Sequence, residues 1–299
     1  MRNIYLCGLG ALGTIYVRHL APLGLRVVAD AVRIARYRAE GVRVNGEALA
    51  LNYLAPGETA PPADLIIVAV KGQQLPEAVE LLRPYVGPET VILSVMNGIS
   101  SEEILGAAFG PEKLLYAFAV QVDAVRTGHE VRFSLPGTTV FGEARNAAIS
   151  PRVAAVQALF AKAGLKTRVP EDMLRELWWK FMLNVGINQL SAVLRAPYGI
   201  FHGSDELREL VRLACREVVA VAQRKGIDLR EDDIEKIFPI IGTLGPEQKT
   251  SMLQDVEAGR PTEVELFGGT VMALGRELDV ATPVNEVLTR MIRVIDERL

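Results

Sequence analysis

Asn3-Ile4-Tyr5-Leu6-Cys7-Gly8-Leu9-Gly10-Ala11-Leu12-Gly13 stands at the start of the chain and decides the reading of its fold. Residues 3–7 form a short apolar run that stops at a glycine, the pattern of a parallel strand buried on both faces. Residues 11–23 read as a helix. Between them Gly8, Gly10 and Gly13 fit G-x-G-x-x-G. The spacing alone is a weak signal. With a strand before it and a helix after it, it points to a dinucleotide-binding turn. Gly8 permits the tight turn, Gly10 lets a pyrophosphate approach the backbone, and Gly13 lets the helix pack on the strand. With Leu9, Ala11 and Leu12 they form a segment whose free N–H groups lie at the positive end of a helix, where phosphates bind. A chance cluster of turn glycines is the competing reading, and the flanking elements argue against it.

Working outward, residues 25–30 read as a second strand ending at Asp30. An acidic group about twenty residues past the glycines commonly accepts hydrogen bonds from the adenosine ribose. The alternative is a solvated carboxylate. Residues 42–51 hold Asn45-Gly46 between alternating apolar positions, a hairpin signature. Residues 64–70 and 90–95 read as buried strands, with further strands expected at 114–122, 130–135 and 138–142 and a helix at 151–163. This alternation predicts an α/β fold with a largely parallel sheet. Two loops follow later strands, Val70-Lys71-Gly72-Gln73-Gln74 and Met96-Asn97-Gly98, where open α/β sheets hold ligands. Lys71 suits a phosphate and Asn97 a ribose or substrate. Taken alone, a solvated lysine and an Asn-Gly turn explain them as well.

From about residue 171 the period becomes helical. Helices are expected at 172–194, 205–225, 231–241, 246–258, 262–277 and 283–298, punctuated by Gly226, Gly245 and Pro283. The domains are therefore expected at 1–169 and 170–299. In the first of these helices Lys180, Asn184 and Asn188 recur at i, i+4 and i+8, one polar stripe on an otherwise apolar helix. A buried stripe needs partners, which a reaction cleft supplies. A solvent-facing stripe is the other reading. Thr262 suits a helix start, with Glu263 and Glu265 favoured in the first turn by the dipole.

The 299 residues are 49% hydrophobic and 23% charged with a net charge of −3, an ordinary globular balance without the basic stripe that nucleic acid requires. Cys7 and Cys215 have no metal-like spacing, and His19, His129 and His202 do not cluster. No metal is expected, and two buried thiols suit a reducing cytoplasm. Glycines 8, 10 and 13, then Arg18 and His19, interrupt the apolar N-terminal stretch, against a signal peptide. No apolar run reaches membrane-spanning length.

Taken in order, Gly8–Gly13, Val70-Lys71, Asn97-Gly98, Lys180/Asn184/Asn188, Ser251-Met252-Leu253-Gln254-Asp255 and Arg260-Pro261-Thr262-Glu263 resemble the 2-dehydropantoate 2-reductase (ketopantoate reductase) family over nearly the whole chain. The resemblance implies an N-terminal Rossmann-type domain and an all-helical C-terminal domain. It implies reduction of 2-dehydropantoate to (R)-pantoate, usually with NADPH, in pantothenate and coenzyme A synthesis. By it Lys180 is the general acid and Glu263 anchors substrate. Asn184, Asn188 and Ser251 line the substrate, Asn97 lies near the nicotinamide, and Lys71 and Gln74 lie along the cofactor. These types fit the chemistry: an ammonium can polarise a keto group and protonate the alkoxide that forms. A carboxylate can accept a bond from a substrate hydroxyl.

Two positions depart from the family pattern. Asp30 stands where an arginine suited to the 2′-phosphate is frequent, with Arg33 and Arg36 shortly after, which tilts the expectation toward NADH. Tyr198 replaces the asparagine of a Pro-Asn-Gly turn, which leaves the keto acid open. A reductase of another branched 2-keto acid and a non-catalytic nicotinamide-binding sensor stay as alternatives. A homodimer is compatible with all three.

Overall fold

The structure, a computed structural model, describes residues 1–298. The chain divides into two compact units, Met1–Asn97 with Ser101–Met173, and Gly98–Ser100 with the chain from Leu174 onward.

The strands, all in the first unit, are β1 (Ile4–Cys7), β2 (Arg26–Val28), β3 (Arg43–Val44), β4 (Glu47–Ala48), β5 (Asn52–Leu54), β6 (Leu65–Val68), β7 (Val91–Ser94), β8 (Leu114–Val120), β9 (Val125–Thr127), β10 (Glu130–Arg132), β11 (Thr138–Gly142) and β12 (Lys166–Arg168). Eight of them form one sheet in the order β12-β11-β8-β7-β6-β1-β2-β5. Every pairing from β5 across to β8 is parallel. β11 is antiparallel to β8 and parallel to β12. The remaining four make a small second sheet, β4-β3-β10-β9. Its β3–β4 hairpin turns at Asn45 and Gly46, both with positive φ. That pair of dihedrals matches strand twist in a two-residue loop, as the Asn-Gly sequence predicts.

Helices α1 (Ala11–Leu20), α2 (Ala31–Glu40), α3 (Leu75–Leu82), α4 (Ser101–Phe109) and α5 (Pro151–Lys162) cover the large sheet. Strands β1, β6 and β7 are buried at every residue, so their side chains alternate between two cores. Ile4, Leu6, Leu65, Ile67 and Leu93 pack with Ile15 and Val17 of α1 and Val156 and Phe160 of α5. Tyr5, Cys7, Ile66, Val68 and Ile92 pack with Leu75 and Val79 of α3 and Leu105 of α4. β2 lies on one side of β1 and β6 on the other. The chain thus changes direction at β1, and the loops at the carboxyl ends of β1, β6 and β7 meet where such sheets bind ligands.

The second strand is shorter than expected. It stops at Val28, and Asp30 is the N-cap of α2, its Oδ1 accepting from the Arg33 N–H at 2.8 Å. A helix start leaves N–H groups without partners, and a carboxylate there satisfies one of them.

The second unit holds α6 (Met173–Leu194), α7 (Ile200–Gly203), α8 (Asp205–Arg224), α9 (Asp232–Glu235), α10 (Ile237–Gly242), α11 (Ser251–Glu257), α12 (Gly268–Glu277) and α13 (Pro283–Asp296), with no strand among the described residues. Three expected helices are reshaped. Residues 231–241 form two short helices, and residues 246–250 stay outside α11, which Thr250 caps by accepting from the Leu253 N–H at 3.1 Å. Thr262 does not open a helix. Asp296 accepts from its N–H at 3.2 Å and its hydroxyl at 2.8 Å, a tight turn follows over Val264–Leu266, and α12 begins only at Gly268.

Helix α6 is held by a buried amide and carboxylate network. Gln189 donates to Asn285 Oδ1 at 2.9 Å, and Asn285 donates to Glu217 Oε2 at 2.7 Å. Glu217 also accepts the N–H groups of Val284 and Asn285 at the start of α13. A Cβ on Gly268 would lie 2.4 Å from Gln189 Oε1 and 2.0 Å from Thr289 Oγ1, so only glycine fits over this network. The fixed rotation of α6 decides where its polar stripe faces. No helix among the described residues is long and apolar enough to cross a membrane.

Candidate active site

The glycine loop is shaped by steric demand at two positions and by none at the third. Gly8 has φ +108°, and a Cβ there would sit 2.5 Å from the Ala69 carbonyl. A Cβ on Gly13 would lie 1.8 Å from the Gly8 oxygen. A Cβ on Gly10 would meet nothing nearer than the Ala69 oxygen at 3.9 Å. Internal packing therefore does not require glycine at position 10. The missing side chain leaves room outside the loop, and no side chain caps the start of α1. The residues present fit a dinucleotide pyrophosphate: open backbone, uncapped N–H groups and a helix dipole.

The loops after β6 and β7 lie beside it. The Ala69 N–H donates to the Cys7 oxygen at 2.8 Å and the Val95 N–H to the Val68 oxygen at 3.0 Å, so the three strand ends are stitched in a row. Lys71 and Gln74 are exposed on the turn after β6. Asn97 is half-buried in the loop after β7 and precedes Gly98, whose φ is +90°. Asp30 stands on the β2 side. Its carboxylate is bonded to Arg33 Nη1 at 2.6 Å, and the same nitrogen donates to Glu77 Oε1 at 2.8 Å. The Arg33 bonds outweigh partial burial and hold the Asp30 carboxyl below the usual carboxylate range. Arg36 lies over the Tyr37 ring, 5.4 Å from its centroid.

In the second unit the Lys180–Asn184–Asn188 stripe is buried at Asn184 and Asn188 and half-buried at Lys180, against the solvent-facing reading. Asn184 is 6% exposed and Asn188 5%. Asn188 Oδ1 accepts from Ser251 Oγ at 3.1 Å and from the Met252 N–H at 3.4 Å. Its Nδ2 donates to the Asn184 carbonyl at 3.2 Å. Asn188 thus joins α6 to the start of α11 and brings Ser251 to the stripe. The Asn184 amide, among the described residues, makes no side-chain hydrogen bond. Lys180 likewise makes no hydrogen bond or ion pair among them, and desolvation alone lowers its ammonium to about 8. A desolvated lysine with no counter-charge is costly for folding, and such groups concentrate where chemistry is done.

Glu263 is half-buried on the turn before Val264–Leu266. Its neighbour Glu265 is exposed and bound to Arg293 at 2.7 Å. The turn is fixed at both ends. Arg260 Nε donates to Asp255 Oδ1 at 2.8 Å, and Thr262 is tied to Asp296 as described. The sequence pattern Ser251–Asp255 with Arg260–Glu263 is therefore one closed loop, ion-paired across its base.

The family model described as "Ketopantoate reductase PanE/ApbA" matches residues 4–146, and the one described as "Ketopantoate reductase PanE/ApbA C terminal" matches residues 172–296. The chain belongs to the ketopantoate reductase family. It is an oxidoreductase with the two-part layout that family has. The 2-dehydropantoate 2-reductase of Aquifex aeolicus (strain VF5) is 27% identical over 96% of this chain and 94% of its own. The crystal structure of 2-dehydropantoate 2-reductase from Geobacter metallireducens GS-15 superposes with TM-score 0.86 at 28% identity, covering 97% of this chain and 99% of that one. D-mandelate dehydrogenase, solved with NADH and anilino(oxo)acetate, gives TM-score 0.87 at 20% identity over 99% and 98%. That last likeness is one of fold.

Sequence reasoning missed Glu77, Asp296 and the Gln189–Asn285–Glu217 network. Glu77 and Asp296 are ordinary helix carboxylates by local pattern. Their partners lie 44 and 34 residues away, and no spacing rule connects them. Gln189 carried a signal: a second amide beside Asn188 inside an apolar helix asks for a buried partner.

Proposed function

We propose that the protein reduces 2-dehydropantoate to (R)-pantoate, a step of pantothenate and coenzyme A synthesis, with Lys180 as proton donor. The observation that carries the reading is the desolvated Lys180 ammonium, without a hydrogen bond or ion pair among the described residues, one helical turn from Asn184, whose amide makes no side-chain hydrogen bond among them. Both lack what a polar substrate supplies. The reduced nicotinamide, when bound, provides the hydride that C2 of the keto acid accepts. Lys180 polarises the C2 carbonyl and transfers its Nζ proton to the carbonyl oxygen, leaving a neutral amine that solvent reprotonates. A lysine poised at about 8 is still charged at neutral pH and gives up its proton more readily than a solvated one. Asn184 and Ser251 offer neutral hydrogen bonds to the substrate carboxylate, and Asn188 fixes Ser251 for that task. Glu263 accepts a bond from the substrate 4-hydroxyl.

Residues 1–169 form the cofactor domain and 170–299 the substrate domain on this reading. Gly8 to Gly13 cradle the pyrophosphate, Lys71 and Gln74 lie along the cofactor, and Asn97 lies near its nicotinamide end. Asp30 accepts from the adenosine ribose and favours NADH over NADPH, because a 2′-phosphate would meet a like charge there. The Asp30 carboxyl, held below the usual carboxylate range by its Arg33 bonds, keeps that charge in place at neutral pH.

Oxidation of the nicotinamide, followed by absorbance with 2-dehydropantoate and each cofactor separately, tests the reading. Absence of turnover with both would favour a sensor. A second reading, another branched 2-keto acid, is favoured by Tyr198, a partly buried phenol that burial pushes up to about 12. A panel of keto acids ranked by kcat/KM decides between the two. A homodimer is supported by the half-exposed apolar stripe Val287, Met291 and Val294 of α13, and sedimentation of a single monomeric species would remove it. A cytoplasmic setting is supported by two free, buried cysteines.

A further inference from the structure

We propose that Glu77 is a specificity-determining residue, selecting NADH by holding the Arg33 guanidinium against Asp30 and out of reach of a 2′-phosphate. The proposal rests on the NADH reading above and assigns it a second carboxylate.

The geometry comes from three elements. Asp30 caps α2, Arg33 lies in its first turn, and Glu77 lies in the first turn of α3. These helices follow β2 and β6, the two neighbours of β1 in the sheet. The Arg33–Glu77 bond therefore spans the carboxyl end of β1, directly beside the glycine loop. Cys7, the last residue of β1, lies within reach of the charges of Arg33, Glu77 and Asp30.

One guanidinium nitrogen serves both carboxylates, Nη1 at 2.6 Å from Asp30 Oδ2 and at 2.8 Å from Glu77 Oε1. The hydrogen bond to Glu77 is the foremost reason that Arg33 holds its proton more firmly than a free arginine. Arg36 of α2 lies over the Tyr37 ring, and Arg126 donates from Nη1 to the Leu9 carbonyl of the glycine loop. The cluster carries two negative charges and one positive. Asp30 keeps lone pairs for the ribose hydroxyls, since each oxygen of a carboxylate accepts more than one bond. A 2′-phosphate needs a guanidinium whose fork is free and meets no neighbouring anion. With Glu77 present, Arg33 Nη1 is held between two carboxylates and the guanidinium sits in a net negative field. With Glu77 neutral, Arg33 keeps one carboxylate partner, and its remaining donors can turn to a phosphate.

The test is equilibrium binding, read by calorimetry on the intact protein with NADH and NADPH, together with kcat/KM for each. The variants are Glu77→Gln, Arg33→Ala and the double variant. Glu77 is half-exposed, so Glu77→Gln is expected to fold, and an unchanged thermal midpoint checks this. Glu77→Gln is expected to tighten NADPH by about tenfold and to change NADH by less than about twofold, a shift worth about 1.4 kcal/mol in the ratio. In the Arg33→Ala background the shift is expected to vanish. A Kd ratio that Glu77→Gln leaves unchanged overturns the proposal, whichever cofactor the native protein prefers. A shift that persists without Arg33 also overturns it. A native preference for NADPH overturns the NADH reading alone, because the ratio still reports what Glu77 does through Arg33.

Discussion

Replacing Lys180 by methionine is expected to stabilise the protein while nearly abolishing turnover. Burial lowers the Lys180 ammonium from 10.5 to about 8 with no compensating charge. At about 1.36 kcal/mol per pKa unit the charged form is penalised by about 3 kcal/mol on folding. Lys180 is partly exposed, and solvent screening reduces the figure, so a gain of about 1–3 kcal/mol at neutral pH is expected. The sign follows from proton linkage. The folded pKa lies below the unfolded one, so the penalty is full below about pH 8 and fades as pH rises toward the unfolded value. Methionine keeps an unbranched apolar stem, and the gain over the native protein should therefore be present at neutral pH and largely gone near pH 10. Loss of the proton donor should cut kcat by about 10²–10⁴-fold, with cofactor Kd unchanged. Denaturant melts at the two pH values and nicotinamide absorbance measure both effects. A variant that is less stable at neutral pH, or that keeps kcat within about twofold, would refute the reasoning.

Three other outcomes are expected. Native reductive kcat/KM should fall as pH rises through about 8, when Lys180 loses its proton, and a profile flat to about pH 10 would remove the assignment. Gly10→Ala should fold normally yet weaken cofactor binding, whereas Gly13→Ala, with its Cβ 1.8 Å from the Gly8 oxygen, should destabilise by about 1–3 kcal/mol; equal melting points for the two would contradict the loop geometry. Glu263→Ala should cost about 1–3 kcal/mol of transition-state binding for a keto acid with a 4-hydroxyl and less for one without it, and equal losses would take the hydroxyl contact from Glu263.

Much of the first unit was legible because its signals are local. β1, β6 and β7 are buried on both faces, so each appears as an unbroken apolar run that needs no knowledge of its neighbours. The edge strands β5, β9 and β12 have exposed or half-buried residues and carry no such run, and the reading passed over them. Helices α3 and α4 escaped for a related reason: both are short, and short helices owe their stability to the sheet beneath them.

The sequence by itself determined the glycine turn between β1 and α1, the change to helices after residue 170 and the i, i+4, i+8 alignment of Lys180, Asn184 and Asn188. These follow from backbone sterics at glycine and from helical periodicity, which act over a few residues. Only the tertiary structure decided which way that stripe faces, because the rotation of α6 is set by Gln189 meeting Asn285 and Thr289, 96 and 100 residues away. It also left Glu265 exposed and paired with Arg293 while Glu263 is half-buried. And it turned Asp30 from a strand end into a helix cap paired with Arg33, with Glu77 as that arginine's second partner. Charge pairs of this kind depend on distance in space, which local sequence does not encode, and for that reason the charge cluster at the carboxyl end of β1 emerged only with the fold.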